Sequence, residues 1–186
     1  MKVALDAGHG AQSGRPHTGA AANGLVEDEL ALDLVRRTGH HLRAAGCETV
    51  YTRPEDKLIS LAERGRIAVT GKCDLFLSIH CNAGPASACG VEAFVAQGDH
   101  ASRRIAELLA GAVSKIGLAN RGVKWDSQSQ HPRLAVLRET YRAMPAVLME
   151  IGFLTSEHDS ALLRDAHFRE RVAVAVAGGL GNRRRS

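Results

Sequence analysis

The run Asp74-Leu75-Phe76-Leu77-Ser78-Ile79 is apolar almost throughout and shows no alternation of polar and apolar positions. A strand of that kind must be covered on both faces, which places it at the centre of a largely parallel sheet with helices on either side. Two further runs share its character: Lys2–Ala7, cut off by Gly8, and Ala146–Ile151, entered from a turn containing Pro145. Strands are also predicted at Glu48–Thr52, Val91–Ala96 and Leu134–Leu137. Between them lie stretches with helical spacing. Leu30, Leu34, Val35, Leu42 and Ala45 make one apolar face, opened by Glu27-Asp28-Glu29, whose charges suit a helix start, and stopped by Gly46. Ile59–Val69, Ala101–Ile116, Glu157–Arg164 and Phe168–Leu180 are the other predicted helices. Strands alternating with helices predict an α/β fold: a single layer-sandwich domain with a central, mostly parallel twisted sheet of about six strands flanked by helices. No repeat or linker divides the chain, so residues 1–182 read as one domain and 183–186 as a basic tail.

Composition narrows the class. The chain has 186 residues, 45% hydrophobic and 24% charged, enough for one self-sufficient core. No apolar run approaches the ~20 residues that cross a bilayer, and Met1–Leu5 runs into Asp6 without the apolar stretch of a signal peptide. A net charge of +4, with Arg183-Arg184-Arg185 near the end, favours anionic polymers. The basic residues lack interleaved aromatics, which argues against nucleic acid as partner. Four cysteines, at 47, 73, 81 and 89, make no C-x-x-C pair. They read as packed thiols, with a Cys81–Cys89 bridge the one alternative.

Three predicted strands lead to polar groups at the same end of the sheet. His9 follows the first between two glycines, His80 closes the second and Glu150 closes the third, while Glu27 opens the first helix. Strand ends on one rim of an α/β sheet are where such folds place their chemistry. Two imidazoles and a carboxylate are a common catalytic zinc set, and a further Glu nearby suits a general base. Glu150 follows Ala146-Val147-Leu148-Met149, a setting in which a carboxylate costs several kcal/mol without a compensating partner, and which raises its pKa. Asp6 is a candidate acceptor for the His9 imidazole, as metal-bound histidines require. The remaining histidines lie on loops or helix faces and read as solvated, His131 alone being placed to lead into the Leu134 strand. Spacing alone does not specify a zinc site here, because the candidates are scattered over most of the chain.

Five segments together carry a resemblance: Val3-Ala4-Leu5-Asp6-Ala7-Gly8-His9-Gly10, Gly24-Leu25-Val26-Glu27, Ser78-Ile79-His80-Cys81-Asn82-Ala83, Val136-Leu137-Arg138 and Met144–Leu154. In that order, over residues 3 to about 180, the chain resembles the N-acetylmuramoyl-L-alanine amidases of the Amidase_3 family. The resemblance implies a zinc ion on His9, Glu27 and His80, with Glu27 preferred over Asp28 and Glu29 by its offset from Gly24-Leu25. It implies Glu150 as catalytic base, Arg138 and Asn82 as substrate contacts, and hydrolysis of the amide joining N-acetylmuramic acid to L-alanine in peptidoglycan. Arg138, on a strand beside that of Glu150, is expected to orient Glu150 or to hold a substrate carboxylate. The family commonly has alanine where Cys81 stands, which favours a packed thiol. Only the short stretch Cys81–Cys89 separates His80 from the next strand, leaving no room for the blocking helix of regulated division amidases; an open site is expected. A monomer acting on the cell wall outside the cytoplasm, reached by release or by another export route, completes the reading. A zinc peptidase or carboxypeptidase acting on the stem peptide would use the same four residues, and a non-catalytic wall-binding protein is the other alternative. A nucleotide site at Gly8-His9-Gly10 lacks both G-x-G-x-x-G and a Walker lysine.

Overall fold

The computed structural model describes residues 1–12, 14, 17–130 and 133–182. His131 and the basic tail from residue 183 lie outside the described residues. The strands, in chain order, are β1 (Lys2–Ala7), β2 (Ala21–Ala22), β3 (Leu25–Val26), β4 (Glu48–Tyr51), β5 (Leu75–Asn82), β6 (Val91–Val95), β7 (Asn120–Trp125) and β8 (Ala146–Phe153). The helices are α1 (Glu27–Ala44), α2 (Leu61–Thr70), α3 (His100–Ser114), α4 (Ala135–Arg138), α5 (Glu157–Arg164) and α6 (Ala166–Asn182).

Six strands form one sheet in the order β4-β1-β5-β8-β6-β7. All neighbours are parallel except β6 and β8, which run antiparallel. The mostly parallel α/β sheet expected from the apolar runs is therefore present, with β5 and β8 at its centre. Strand β5 continues through His80 to Asn82, with an irregularity in its pairing to β8 between those residues, and β8 continues to Phe153. His80 and Glu150 thus lie within strands near their ends and pair directly across them.

Three sequence expectations need correction. Leu134–Leu137 is not a strand: the Leu134 carbonyl accepts from the amides of Leu137 and Arg138, closing the short helix α4. A run of four apolar residues has no readable period, so packing decides its conformation. Strand β7 was not anticipated, because Arg121, Gly122 and Lys124 interrupt the apolar pattern of an edge strand. None of the predicted elements falls between Gly10 and Glu27, where Ala21–Ala22 pairs with Leu25–Val26 in a small antiparallel hairpin.

The two faces of the sheet are covered unequally. On one, Leu5, Leu77, Val147 and Met149 meet Leu34 and Val35 of α1, Leu109 of α3 and Val172 and Val176 of α6 in the main core. On the other, Ala4, Phe76, Leu148 and Phe94 pack under Ala68 of α2 and Val136 and Leu137 of α4. Each fully buried Val, Leu, Met or Phe among these contributes roughly 1.5–3 kcal/mol. Alternation then carries the second face from core to rim: Ala4 to Asp6, Phe76 to Ser78 to His80, Leu148 to Glu150, and Phe94 to Glu92. Beside the first residues of α2 and α4, Leu61 and Ala135, this face opens into a groove. Buried Asp159 ties the segments around Gly90 and Phe153 together, one of its oxygens accepting from the amides of Gly90 (2.6 Å) and Phe153 (2.9 Å). Cys81 and Cys89 are not bridged, and Cys81 packs in the main core.

Candidate active site

The turn after β1 is held by two arginines that are almost wholly inside the protein. Arg53 (1% exposed) donates to the carbonyls of Ala7, Gly8 and Asp28, and Arg64 (2%) to those of Ala7 and His9. Asp6, also buried, accepts from Arg64 Nη1 at 2.8 Å, from Ser78 Oγ at 2.6 Å and from Thr52 Oγ1. It does not bond the His9 imidazole, contrary to expectation; its three bonds go to this network, and it supports His9 through Arg64 instead. The turn leaves His9 at φ 57°, a left-handed conformation that a non-glycine residue adopts only where its surroundings enforce it.

Glu27 enters from the first turn of α1. Its Oε2 accepts from the Ala20 amide at 2.9 Å. Its Oε1 lies 3.1 Å from His9 Nε2 and 3.0 Å from His80 Nδ1. Burial opposes ionisation of Glu27, but the bonds and charges of His80 and His9 outweigh it and hold the carboxyl well below the usual range. The imidazole rings of His9 and His80 meet edge to face, their centroids 5.0 Å apart. Backbone comes unusually close to this cluster: a Cβ on Gly8 would stand 2.3 Å from the His80 ring, and one on Gly19 would stand 2.8 Å from Glu27 and 3.0 Å from His9. One ligand atom from each of His9, Glu27 and His80 lies within 4.8 Å of the others, so the three form a potential metal-binding group. An ionised carboxylate between two imidazoles is the donor set of a catalytic zinc site rather than of calcium or magnesium, which take oxygen ligands.

Glu150 sits one strand away, paired with His80 on one side and Glu92 on the other. Its Oε2 is buried and has no hydrogen-bond partner among the described residues, a costly arrangement for a carboxylate. Burial, with the charges of Glu27 and Glu92, pushes its carboxyl well above the ordinary value. His9, Glu27, His80 and Glu150 all line one groove of about 740 Å³. A second cavity of about 440 Å³ adjoins His9 and His80 on the side of Leu58, Ile59 and Leu61.

The other two sequence candidates fare differently. Asn82 lines the larger groove, where its Nδ2 donates to Glu92 at 2.9 Å. Arg138 is not on a strand neighbouring that of Glu150. It ends α4 and makes two bonds, 2.6 and 2.8 Å, to the fully buried carboxylate of Asp126. The misplacement follows from reading α4 as a strand.

Residues 3–182 match the family described as N-acetylmuramoyl-L-alanine amidase. The chain belongs to that family. Its class is therefore that of a hydrolase. The chain is 35% identical over 181 residues to the N-acetylmuramoyl-L-alanine amidase LytC of Bacillus subtilis, covering 95% of itself and 34% of LytC. It is 34% identical over 186 residues to the endolysin of Bacillus phage SPP1, covering 96% of itself and 64% of that protein. Among solved structures, the catalytic domain of CwlV, an N-acetylmuramoyl-L-alanine amidase from Bacillus (Paenibacillus) polymyxa var. colistinus, superposes with a TM-score of 0.85 at 29% identity, over 99% of this chain and 98% of that one. The chain thus spans about a third of LytC and a little under two thirds of the endolysin.

Two residues of this amidase that position the site escaped the sequence reading. Arg64 occupies the inward stripe of α2 together with Gly65 and Ala68, and a charge on an apolar stripe is the signal that would have found it. Arg53, just before Pro54, had no such signal; its burial depends on carbonyls contributed from two other segments.

Proposed function

We propose that this chain hydrolyses the amide between the lactyl group of N-acetylmuramic acid and the L-alanine of the peptidoglycan stem, with zinc held by His9, Glu27 and His80 and with Glu150 as the base. The observation that carries this reading is the unpartnered, buried Oε2 of Glu150 one strand from His80, in the groove shared with the three ligands. A bound zinc would polarise the scissile carbonyl and make an attacking water more acidic.

The chain's own residues supply the rest. Arg53 and Arg64 fix the backbone of the His9 turn, so His9 needs little reorganisation to serve as a ligand. Glu27, kept ionised by the imidazoles, contributes the one negative charge among the ligands. Glu150, whose surroundings raise its proton affinity, accepts a proton from the attacking water and returns it to the leaving alanine nitrogen. Peptidoglycan is accordingly the partner and the cell wall outside the cytoplasm the place of action. Among the described residues no helix is long and apolar enough to cross a membrane.

The test is Glu150→Gln, which keeps the shape but cannot accept a proton. Release of stem peptides from purified peptidoglycan is expected to fall by about 10²–10⁴-fold, with zinc content unchanged by metal analysis. Near-normal release would remove Glu150 from the role of base. Absence of release from the wild-type protein carrying zinc would favour a wall-binding role, and peptides cut internally would favour a peptidase.

A further inference from the structure

The same face of the sheet carries a second charged group that the hydrolysis above does not use. Register sets His80, Glu150 and Glu92 in one row across β5, β8 and β6, at ~4.8 Å per strand. Glu92 is 4% exposed and accepts from Arg121 Nε at 2.6 Å, Lys124 Nζ at 2.7 Å and Asn82 Nδ2 at 2.9 Å. Burial works against its charge, but the bonds from Lys124 and Arg121 outweigh it and hold the carboxyl below its ordinary value. Two cations therefore share one carboxylate, and one positive charge is left over.

Both cations face the groove. The side chains of Arg121 and Lys124 are 34% and 31% exposed and line the same 740 Å³ space as Glu150. Arg121 lies 4.8 Å over the ring of Phe153, and Lys124 lies 5.9 Å from that of Phe94, which restricts both side chains further. Arginine has five N–H donors and lysine three; beyond the bonds to Glu92, Arg121 Nη1 donates to the Cys89 carbonyl at 3.3 Å, and most of the other donors remain available above Glu92. Long cations immobilised from beneath, with spare donors pointing into a groove, are preorganised for an anion, unlike a solvated surface pair that must be ordered on binding. The cavity beyond His9 is different: its charged residues Asp6 and Arg64 are bonded to each other, and Leu58, Ile59, Leu61 and Val136 supply its apolar wall.

Resting on the hydrolysis proposed above, we propose that Arg121 and Lys124 form a carboxylate subsite for the leaving stem peptide. Glu92 is its positioning residue, and the muramoyl side lies towards the cavity beyond His9. The cations stand about one to two strands from Glu150, ~5–10 Å. An extended peptide advances ~3.3–3.6 Å per residue, so the recognised carboxylate belongs to the second or third residue beyond the scissile amide.

The experiment uses four muramoyl tripeptides whose second- and third-residue carboxylates are each either free or amidated, with the zinc-loaded protein. The wild type should cleave a peptide with the recognised carboxylate free at least roughly tenfold faster in kcat/KM than the doubly amidated one. The singly amidated pair identifies which residue is read. That ratio should collapse towards one in Arg121→Gln and in Lys124→Gln and should persist in Lys124→Arg; a merely structural role would lower all four rates in proportion. A wild-type ratio near one, or variants that keep the ratio, would overturn the subsite while leaving the hydrolysis standing. Cleavage of none of the four would overturn the hydrolysis and the subsite together.

Discussion

The position of His80 depends most narrowly on Gly8. A methyl group there would stand 2.3 Å from His80 Cε1, 2.4 Å from Nδ1 and 2.7 Å from Nε2. Unstrained contacts between such atoms lie at ~3.5–4.0 Å, so Gly8→Ala must displace the ring by more than about 1 Å. The backbone is no obstacle, since Gly8 is outside the left-handed region, and its amide bond to the Ile79 carbonyl (3.0 Å) does not involve the side chain. The displaced ring is the difficulty: metal–ligand distances tolerate only about ±0.2 Å, and a 1 Å misplacement costs on the order of 10²-fold in rate. Zinc affinity should therefore weaken by at least about 10–100-fold, the range seen when ligand orientation is lost. The assay is competition for zinc against a colorimetric chelator, paired with thermal unfolding of the metal-free protein to establish that the fold persists. A folded Gly8→Ala protein with wild-type zinc affinity would refute the reasoning, because His80 would then bind no metal or would not be confined by this turn.

Two other perturbations probe the surroundings of the site. Arg64→Met leaves Asp6 charged and buried without its cation and frees the His9 carbonyl; a loss of about 3–5 kcal/mol in denaturant unfolding is expected, together with weaker zinc binding, and a loss under about 1 kcal/mol would show that Ser78 and Thr52 suffice. Glu150 must be ionised to act as base, and burial with the charges of Glu27 and Glu92 raises its pKa above the ordinary 4.5, so the acid limb of kcat/KM against pH should lie above that value. Glu92→Gln removes one of the raising charges and should move the limb to lower pH; a limb that stays in place or moves upward would assign it to another group.

Much of this arrangement was legible in the sequence because the decisive strands are apolar on both faces. Leu75–Ile79 and Ala146–Met149 leave a helix-covered sheet as the one economical solution, and the polar residues that follow them then fall on its rim. His9, Glu27, His80 and Glu150 lie in one groove for that reason. What stayed hidden depends on partners remote in the chain. Arg138 turns to Asp126 because α4 is a helical turn, which four apolar residues cannot announce. Asp6 turns to Arg64, 58 positions away, rather than to its near neighbour His9. Nothing in the run Val91–Ala96 singles out Glu92, whose role depends on β7 bringing Arg121 and Lys124 against it.

The central claim is a zinc-dependent cut between the lactyl group and L-alanine, and mass spectrometry of digested peptidoglycan tests it most directly. Purified sacculi are incubated with the protein as purified, after chelator treatment, and after zinc is restored. The account predicts stem peptides with free N-terminal alanine alongside peptide-free glycan strands, lost with chelator and regained with zinc. Muropeptides whose peptides remain attached to muramic acid, or alanine release that chelation leaves untouched, would contradict it.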